Sequence, residues 1–363
     1  MSHYEERLEA DLDSLRRRIS SIGQRVLEAQ KSAVEAILGG DLALASETIL
    51  GDHAVNREIR SIDKACHAFV AQHLPSAGHL RFVSSVLRLN VGLERIGDYA
   101  ATLCRLAVRL STPPPAAMVS DIRLMADQSQ LVLSQALDAW DEGNAELARG
   151  TIGMARQASR AYNKTFADLL REGTQGTRPI GDLFALQVVL NRLDRVVAQA
   201  KNICEETLFT ITGETKAPKV YRILFVDEGN GCESQLAAAF ARKAFPQSGE
   251  YSSAGWRPQE SLDPRCQLFM ARHGLDPGDA KPRPLNPKRE ALQQYHVIVS
   301  LGGDLRPHVE EIPFHAVVLE WDLASGLEGL DQERAERLLE DIFKDIASRV
   351  RGLMETLRGK GAG

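Results

Sequence analysis

Two short stretches carry side chains able to do chemistry. In "ILFVDEGNGCES" (Ile223 to Ser234) four apolar residues run into a polar, glycine-containing turn, and the apolar "QLAAAFARKAF" follows, so the segment reads as strand, loop and helix N-terminus. A loop of that shape offers backbone amides and the positive end of a helix dipole to an anion. Yet Asp227 ends the strand and Glu233 opens the helix, so two carboxylates stand where a phosphate would sit. The expectation is that Asp227 occupies the loop's own amides as a built-in anion. In the second stretch, "GLERIGDYA", Glu94 and Asp98 lie four apart, and Asp52 and Asn56 repeat that spacing upstream. On facing helices the four oxygen-bearing groups converge, as a metal ion or basic partners would require. A solvated acidic face is the competing reading.

Other reactive residues read as structural. The cysteines (Cys66, Cys104, Cys204, Cys232, Cys266) have no CxxC spacing and are odd in number, which fits reduced core thiols. Trp256 and Trp321 read as packing residues, and Arg16, Arg17 and Arg18 as a solvated helical face. A net charge of -5 with mixed signs and 6% aromatic residues gives no basic stripe for nucleic acid. No apolar run approaches the roughly 20 residues of a membrane span, and the start of the chain is charged from Glu5 onward. These features place the chain in the cytoplasm.

The elements that must position these residues fall into two halves. Residues 4 to about 212 carry apolar positions at three- and four-residue intervals. Helices are predicted to Gly39, from Asp41 as a cap to about His73, and from Ala77 to Leu110, where "STPPPAA" interrupts. The pattern then restarts: "AVEAILGGDLALASETI" aligns with "ALDAWDEGNAELARGTI", pairing Gly40 with Gly143 and Asp41 with Asn144. The half is therefore a duplicated three-helix unit, with repeats at 4–110 and 118–212. After a linker at 215–219, residues 220–363 alternate apolar strands with helices, which implies a doubly wound parallel sheet. The fold class expected is α plus α/β: two antiparallel three-helix bundles, then a phosphatase-like domain. In such sheets ligands bind at the carboxyl ends of strands, where the first loop lies.

The stretch "HLPSAGHLRFVSSVLRLNVGLERIGDYAATL" resembles the third-helix signature of PhoU-type phosphate-uptake regulators. Pro75, Ala77, Leu80, Arg81, Glu94, Arg95, Ile96, Gly97, Asp98 and Ala100 match, and His79 replaces the usual aspartate. "RLDRVVAQAKNICEETLFTITGE" is similar to that family's second signature through Asn202, Ile203 and Glu205. The resemblance, over residues 4 to 214, implies a metal ion, divalent or iron, on Glu94, Asp98, Asp52 and Asn56. It also implies a phosphate transporter and a sensor histidine kinase as partners, contacts at the inner face of the membrane, and a homodimer. The second repeat keeps Asp194 but has Ala198 and, opposite Asp52, Ala155 or Ala158, so half of the metal surface is expected to be lost.

The first stretch resembles the C-x-x-N-x-C-R-S loop of low-molecular-weight tyrosine phosphatases and arsenate reductases, with Gly229, Asn230, Cys232 and Ser234 in register. The likeness continues through "SSAGWRPQESLDPRCQLFMARHGLD" and "YHVIVSLGG". Asp227 replaces the nucleophilic cysteine and Glu233 the phosphate-clamping arginine. At the general-acid position "EWDLASG" aligns Ser325, with Asp322 as a shifted substitute. The resemblance implies a pseudo-phosphatase domain on a cytoplasmic negative regulator of phosphate uptake. A phosphatase using Asp227 with a metal, and a metal-binding bundle, are the alternatives.

Overall fold

The computed structural model describes residues 3–174, 176, 178–215, 219–275, 281–323, 327 and 329–359. The chain divides into two compact units, Met1–Lys216 and Ala217–Gly363.

The first unit consists of six long helices: α1 (His3–Gly39), α2 (Leu42–Gln72), α3 (Ala77–Arg109), α4 (Ala116–Asp141), α5 (Ala145–Thr174) and α6 (Ile180–Thr212). The duplication is visible at equivalent corners. Gly40 and Gly143 both turn the chain with positive φ, at 67° and 60°, a conformation a side chain would resist. Asp41 then caps α2 by accepting from the Ala43 and Leu44 amides, and Asn144 accepts from the Leu147 amide at 3.0 Å. The helices within each repeat pack on one another, as expected of two bundles. In addition α3 packs on α6 and α1 on α4, and one apolar cluster takes Ile22 and Leu93 from the first repeat with Leu137 and Ile203 from the second. The repeats are thus two halves of one core. Their close approach uses Gly23, where a Cβ would fall 2.5 Å from Leu137 Cδ2, and a buried hydrogen bond from Gln30 Nε2 to Ser129 Oγ at 2.6 Å. Arg18 is not a free surface cation: it donates to Glu58 Oε1 at 2.7 Å and to Ser61 Oγ, tying α1 to α2.

The proline-containing connection between the repeats is pinned by one buried carboxylate. Asp182 accepts from the Ser111 amide at 3.1 Å, from Ser111 Oγ at 2.7 Å and from Thr112 Oγ1 at 3.1 Å, while Arg178 reaches Pro113 O at 2.7 Å.

The second unit runs β1 (Tyr221–Asp227), α7 (Glu233–Ala244), β2 (Gly249–Gly255), α8 (Pro264–Arg272), α9 (Arg289–Leu292), β3 (Val297–Ser300), β4 (Val317–Glu320) and α10 (Gln332–Arg358). All four strands are parallel, in the order β2-β1-β3-β4. β1 is central and apolar throughout because both faces are covered. Ile223 and Phe225 join α7, α8 and α10 in one cluster, while Leu224 and Val226 join Leu285, Leu292 and Leu305 in another. The chain leaves β1 toward β2 on one side and reaches β3 on the other, so the carboxyl end of β1 is the topological switch point. Among the described residues no helix is long and apolar enough to cross a membrane.

Burial raises the pKa of Asp182, but the hydrogen bonds from Ser111 and Thr112 and the charge of Arg178 outweigh it and hold the group below its ordinary value. The stabilisation is therefore present above the unfolded value and is lost as pH falls through the folded one. Asp182→Ala is expected to cost about 1–3 kcal/mol at neutral pH. In denaturant titrations the gap to the wild type should narrow below about pH 4.

Candidate functional site

The strand end, the turn and the start of α7 form a closed loop around one carboxylate. Asp227 is buried, 6% exposed, and its two oxygens face inward. Oδ1 accepts a short hydrogen bond from the Asn230 amide and Oδ2 accepts from the Ser234 amide at 2.8 Å. Two backbone donors of the kind that would cradle an oxyanion are thus already engaged by Asp227, as the sequence led us to expect.

The loop is held in this shape from several sides. Asn230 is fully buried with φ at 49°, a left-handed conformation that asparagine tolerates better than most residues. Its side chain secures the turn: Nδ2 donates to Ser234 Oγ at 2.8 Å, and Oδ1 accepts from Gln235 Nε2 at 3.0 Å and from the Arg283 amide at 2.8 Å. Gly255, at the end of β2, lies directly against the turn. A Cβ there would fall 2.7 Å from Glu228 O and 2.8 Å from Asn230 N, so no side chain fits without moving backbone. Gln259 lies over the loop, its amide donating to Gly229 O at 2.9 Å and its side chain covering Gly229 and Gly231. Trp256 stacks on His308 with ring centroids 4.2 Å apart and reaches over Gly302.

The electrostatics are those of clustered acids. Burial pushes Asp227 above the ordinary carboxylate range against the pull of its hydrogen bonds from Ser234 and Asn230. Burial also raises Glu233, and the charges of Asp227 and Asp263 add to the effect. Asp263 itself goes down, because Arg265 grips it with two hydrogen bonds, Nε to Oδ1 at 3.1 Å and Nη2 to Oδ2 at 2.8 Å. Arg265 is committed further by donating to Leu327 O at 2.9 Å, so it is no substitute for the missing clamp. A dianion seated about 4 Å from one ionised carboxylate meets roughly 4 kcal/mol of repulsion per pair of unit charges at an effective dielectric near 20.

The structure brings Asp227, Gly229, Asn230, Cys232, Glu233 and Ser234 into this one loop. Asp322 is exposed, its carbonyl accepts from Arg349 at 3.1 Å, and its charge acts on that arginine. Ser325 lies outside the described residues. Gln259 and Asp263 were not singled out in the sequence, and Gly255 entered it only as the glycine of the SSAG stretch. An Asp-Pro pair opening a helix is the signal that marks Asp263, whose Oδ1 accepts from the Arg265 amide at 2.8 Å. Gln259 and Gly255 carry no such signal.

In the helical unit Asp52 faces α3, where a Cβ on Gly97 would fall 3.0 Å from its Oδ1. Asn56 Nδ2 donates to Asp52 Oδ2 at 2.8 Å, and Asp52 is raised by burial and then by the charge of Asp98. Asp52 Oδ1 and Asn56 Oδ1 are buried without a donor. That leaves oxygens free for a cation, but no group of three histidines, cysteines or acids gathers among the described residues, and Asp98 is exposed. The set fits a closed metal site only in part. In the second repeat Asp194 faces a cavity of about 10 Å³ lined also by Gln128 and Ala158, and Asp194 Oδ1 and Gln128 Oε1 are buried without a donor.

Comparison with known proteins accounts for both units. The PhoU domain model matches residues 19–107, and the low molecular weight phosphotyrosine protein phosphatase model matches residues 222–362. The phosphate-specific transport system accessory protein PhoU homolog of Pseudomonas aeruginosa is 28% identical over 213 residues, which are 58% of this chain and 88% of that protein. PhoU of Escherichia coli is 24% identical over 212 residues, again 58% of this chain and 88% of the relative. The crystal structure of PhoU from Pseudomonas aeruginosa superposes with a TM-score of 0.55 at 27% identity, over 57% of this chain and 99% of that one. The chain is accordingly a fusion, a PhoU-type helical body followed by a low-molecular-weight phosphatase-like domain.

Proposed function

We propose that this protein is a regulator of phosphate homeostasis of the PhoU kind, carrying a pseudo-phosphatase domain that has exchanged turnover for a fixed, anion-filled loop. The helical unit supports the first half of the reading through its likeness to phosphate transport accessory proteins. Its partners are then a phosphate transporter and a sensor histidine kinase met on the cytoplasmic side, with a second copy of the chain as a further partner. The second half rests on one observation: the Asp227 carboxylate is seated on the Asn230 and Ser234 amides. A nucleophile there would need a free lone pair facing substrate, and a phosphate would need amides and an arginine fork. Both Asp227 oxygens are engaged, and Glu233 repels where the fork should attract.

The partial donor set on the first repeat extends the proposal to a loosely held divalent or iron ion. Asp52, Asn56 and Asp98 would hold it through oxygen, with Glu94 one turn away on α3. Elemental analysis after dialysis against trace Mn²⁺ should find metal well below one equivalent in the wild type and less in Asp52→Ala. A stoichiometric ion that survives dialysis and is unaffected by Asp52→Ala would place the metal elsewhere.

Aryl phosphate with Mg²⁺ or Mn²⁺ is expected to give no turnover above that of Asp227→Ala; turnover lost in that variant would establish the metal-assisted phosphatase instead. The double variant Asp227→Cys with Glu233→Arg removes the repulsion and restores the clamp. Vanadate should bind it at least about a hundredfold more tightly than the wild type by calorimetry, a conservative share of the roughly 4 kcal/mol above. No gain would refute the assignment of these two positions.

The loop also carries a pH signature. Because Asp227 is raised in the folded protein, its contribution to stability is greatest with the group protonated and is lost as pH rises through the folded value. Relative to Asp227→Asn, the wild type should therefore gain stability in urea titrations as pH is lowered from neutral toward about 4.

A further inference from the structure

The imidazole of His296 stands in a backbone ladder, a place that only one of its protonation states can hold. β3 begins at Val297, and the residue before it ties neighbouring strands together. Its amide donates to Arg222 O at 2.9 Å, its carbonyl accepts from the Val317 amide at 3.0 Å, and its Nδ1 accepts from the Arg222 amide at 2.9 Å. A backbone N–H only donates, so Nδ1 must present its lone pair and the proton of the neutral ring lies on Nε2. The groups around the ring are mostly cationic. Lys219 lies over the Tyr221 ring at 4.9 Å, and Tyr221 meets the imidazole edge-on at 5.8 Å. Arg358 of α10 donates to Lys219 O at 2.9 Å, and His315, just before β4, sets its Nε2 on Gln293 O at 2.8 Å. Glu250 of β2 is gripped by Arg222 Nε at 2.9 Å.

We propose that His296 is a proton-operated latch at the entry to the second unit: neutral, it fastens the start of β1 to β3, and protonated, it lets go of the Arg222 amide and frees the residues from Lys219 to Ile223. A proton on Nδ1 turns the acceptor into a donor that faces another donor. The imidazolium would also stand close to Lys219 and Arg222. Burial disfavours it first, and the charges of Lys219, His315 and Arg222 follow, against the pull of Glu250, so the folded ring is held below its ordinary value. The stabilisation is therefore complete above the unfolded value and is lost as pH falls through the folded one. β1 carries the Asp227 loop at its other end, so acid loosens the strand where the chain enters it and leaves the filled loop in place. This latch does not depend on whether the domain is a pseudo-phosphatase.

Amide exchange of the full chain, read by mass spectrometry on peptides covering Tyr221 to Leu224 and corrected for the intrinsic effect of pH on exchange, tests the latch. Between about pH 7.5 and about pH 5 the protection of this segment should fall about fivefold in the wild type. His296→Asn sets an amide oxygen near the place of Nδ1 and does not titrate, so its protection should stay level over the same range. His296→Ala should be about as open at the upper pH as the wild type is at the lower one. Level protection in the wild type overturns the proposal. So does a fall in His296→Asn as large as that in the wild type, which would assign the effect to His315 or another group, and so does wild-type protection in His296→Ala at the upper pH.

Discussion

Everything around the loop depends on how its backbone donors are satisfied. Amides that converge on a point at a helix N-terminus cannot be left bare inside a protein without a cost of about 1–3 kcal/mol each. A phosphatase of this fold leaves that demand to its oxyanion. Here Asp227 meets it internally, with one oxygen on the Asn230 amide and the other on the Ser234 amide. The loop is therefore complete without a ligand. The cost is a carboxylate desolvated beside Glu233, which raises both groups and makes the site more hostile to a second anion.

The rest of the domain is arranged so that this internal ion pair of charge and dipole is rigid. Asn230 is fully buried and makes three side-chain hydrogen bonds. Gly255 allows β2 to touch the turn, and Gln259 lies over the glycines whose missing side chains make room for it. An active loop needs the same precision with its mouth open. The same scaffold therefore accommodates a loop whose amides are taken by the chain's own carboxylate.

Much of this could be read from the chain. The six helices, the cap at Asp41, the glycine corners and the strand-loop-helix at Ile223 follow from local rules of periodicity and backbone freedom, which act within a few residues. Asp227 was legible because its position between a strand and a helix leaves its carboxylate little else to bond. The contacts of Gln259 and Gly255 with the loop were not, because they join residues about 30 positions apart. The fusion of the two repeats into one core was hidden for the same reason: Gln30 with Ser129, and Gly23 with Leu137, are pairs that no single helix face predicts.

The two halves of the chain satisfy their buried polar groups differently. On the second helical repeat Asp194 Oδ1 and Gln128 Oε1 border a space of about 10 Å³ and are buried without a donor. On the first repeat Asp52 and Asn56 keep oxygens without donors. In the loop the chain supplies the charge itself, Asp227 accepting from the Asn230 and Ser234 amides. Small apolar residues can close a site whose walls are side chains, since nothing else is left behind. Where the walls are backbone amides they cannot be mutated away, and a carboxylate of the chain's own is the replacement that keeps them bonded.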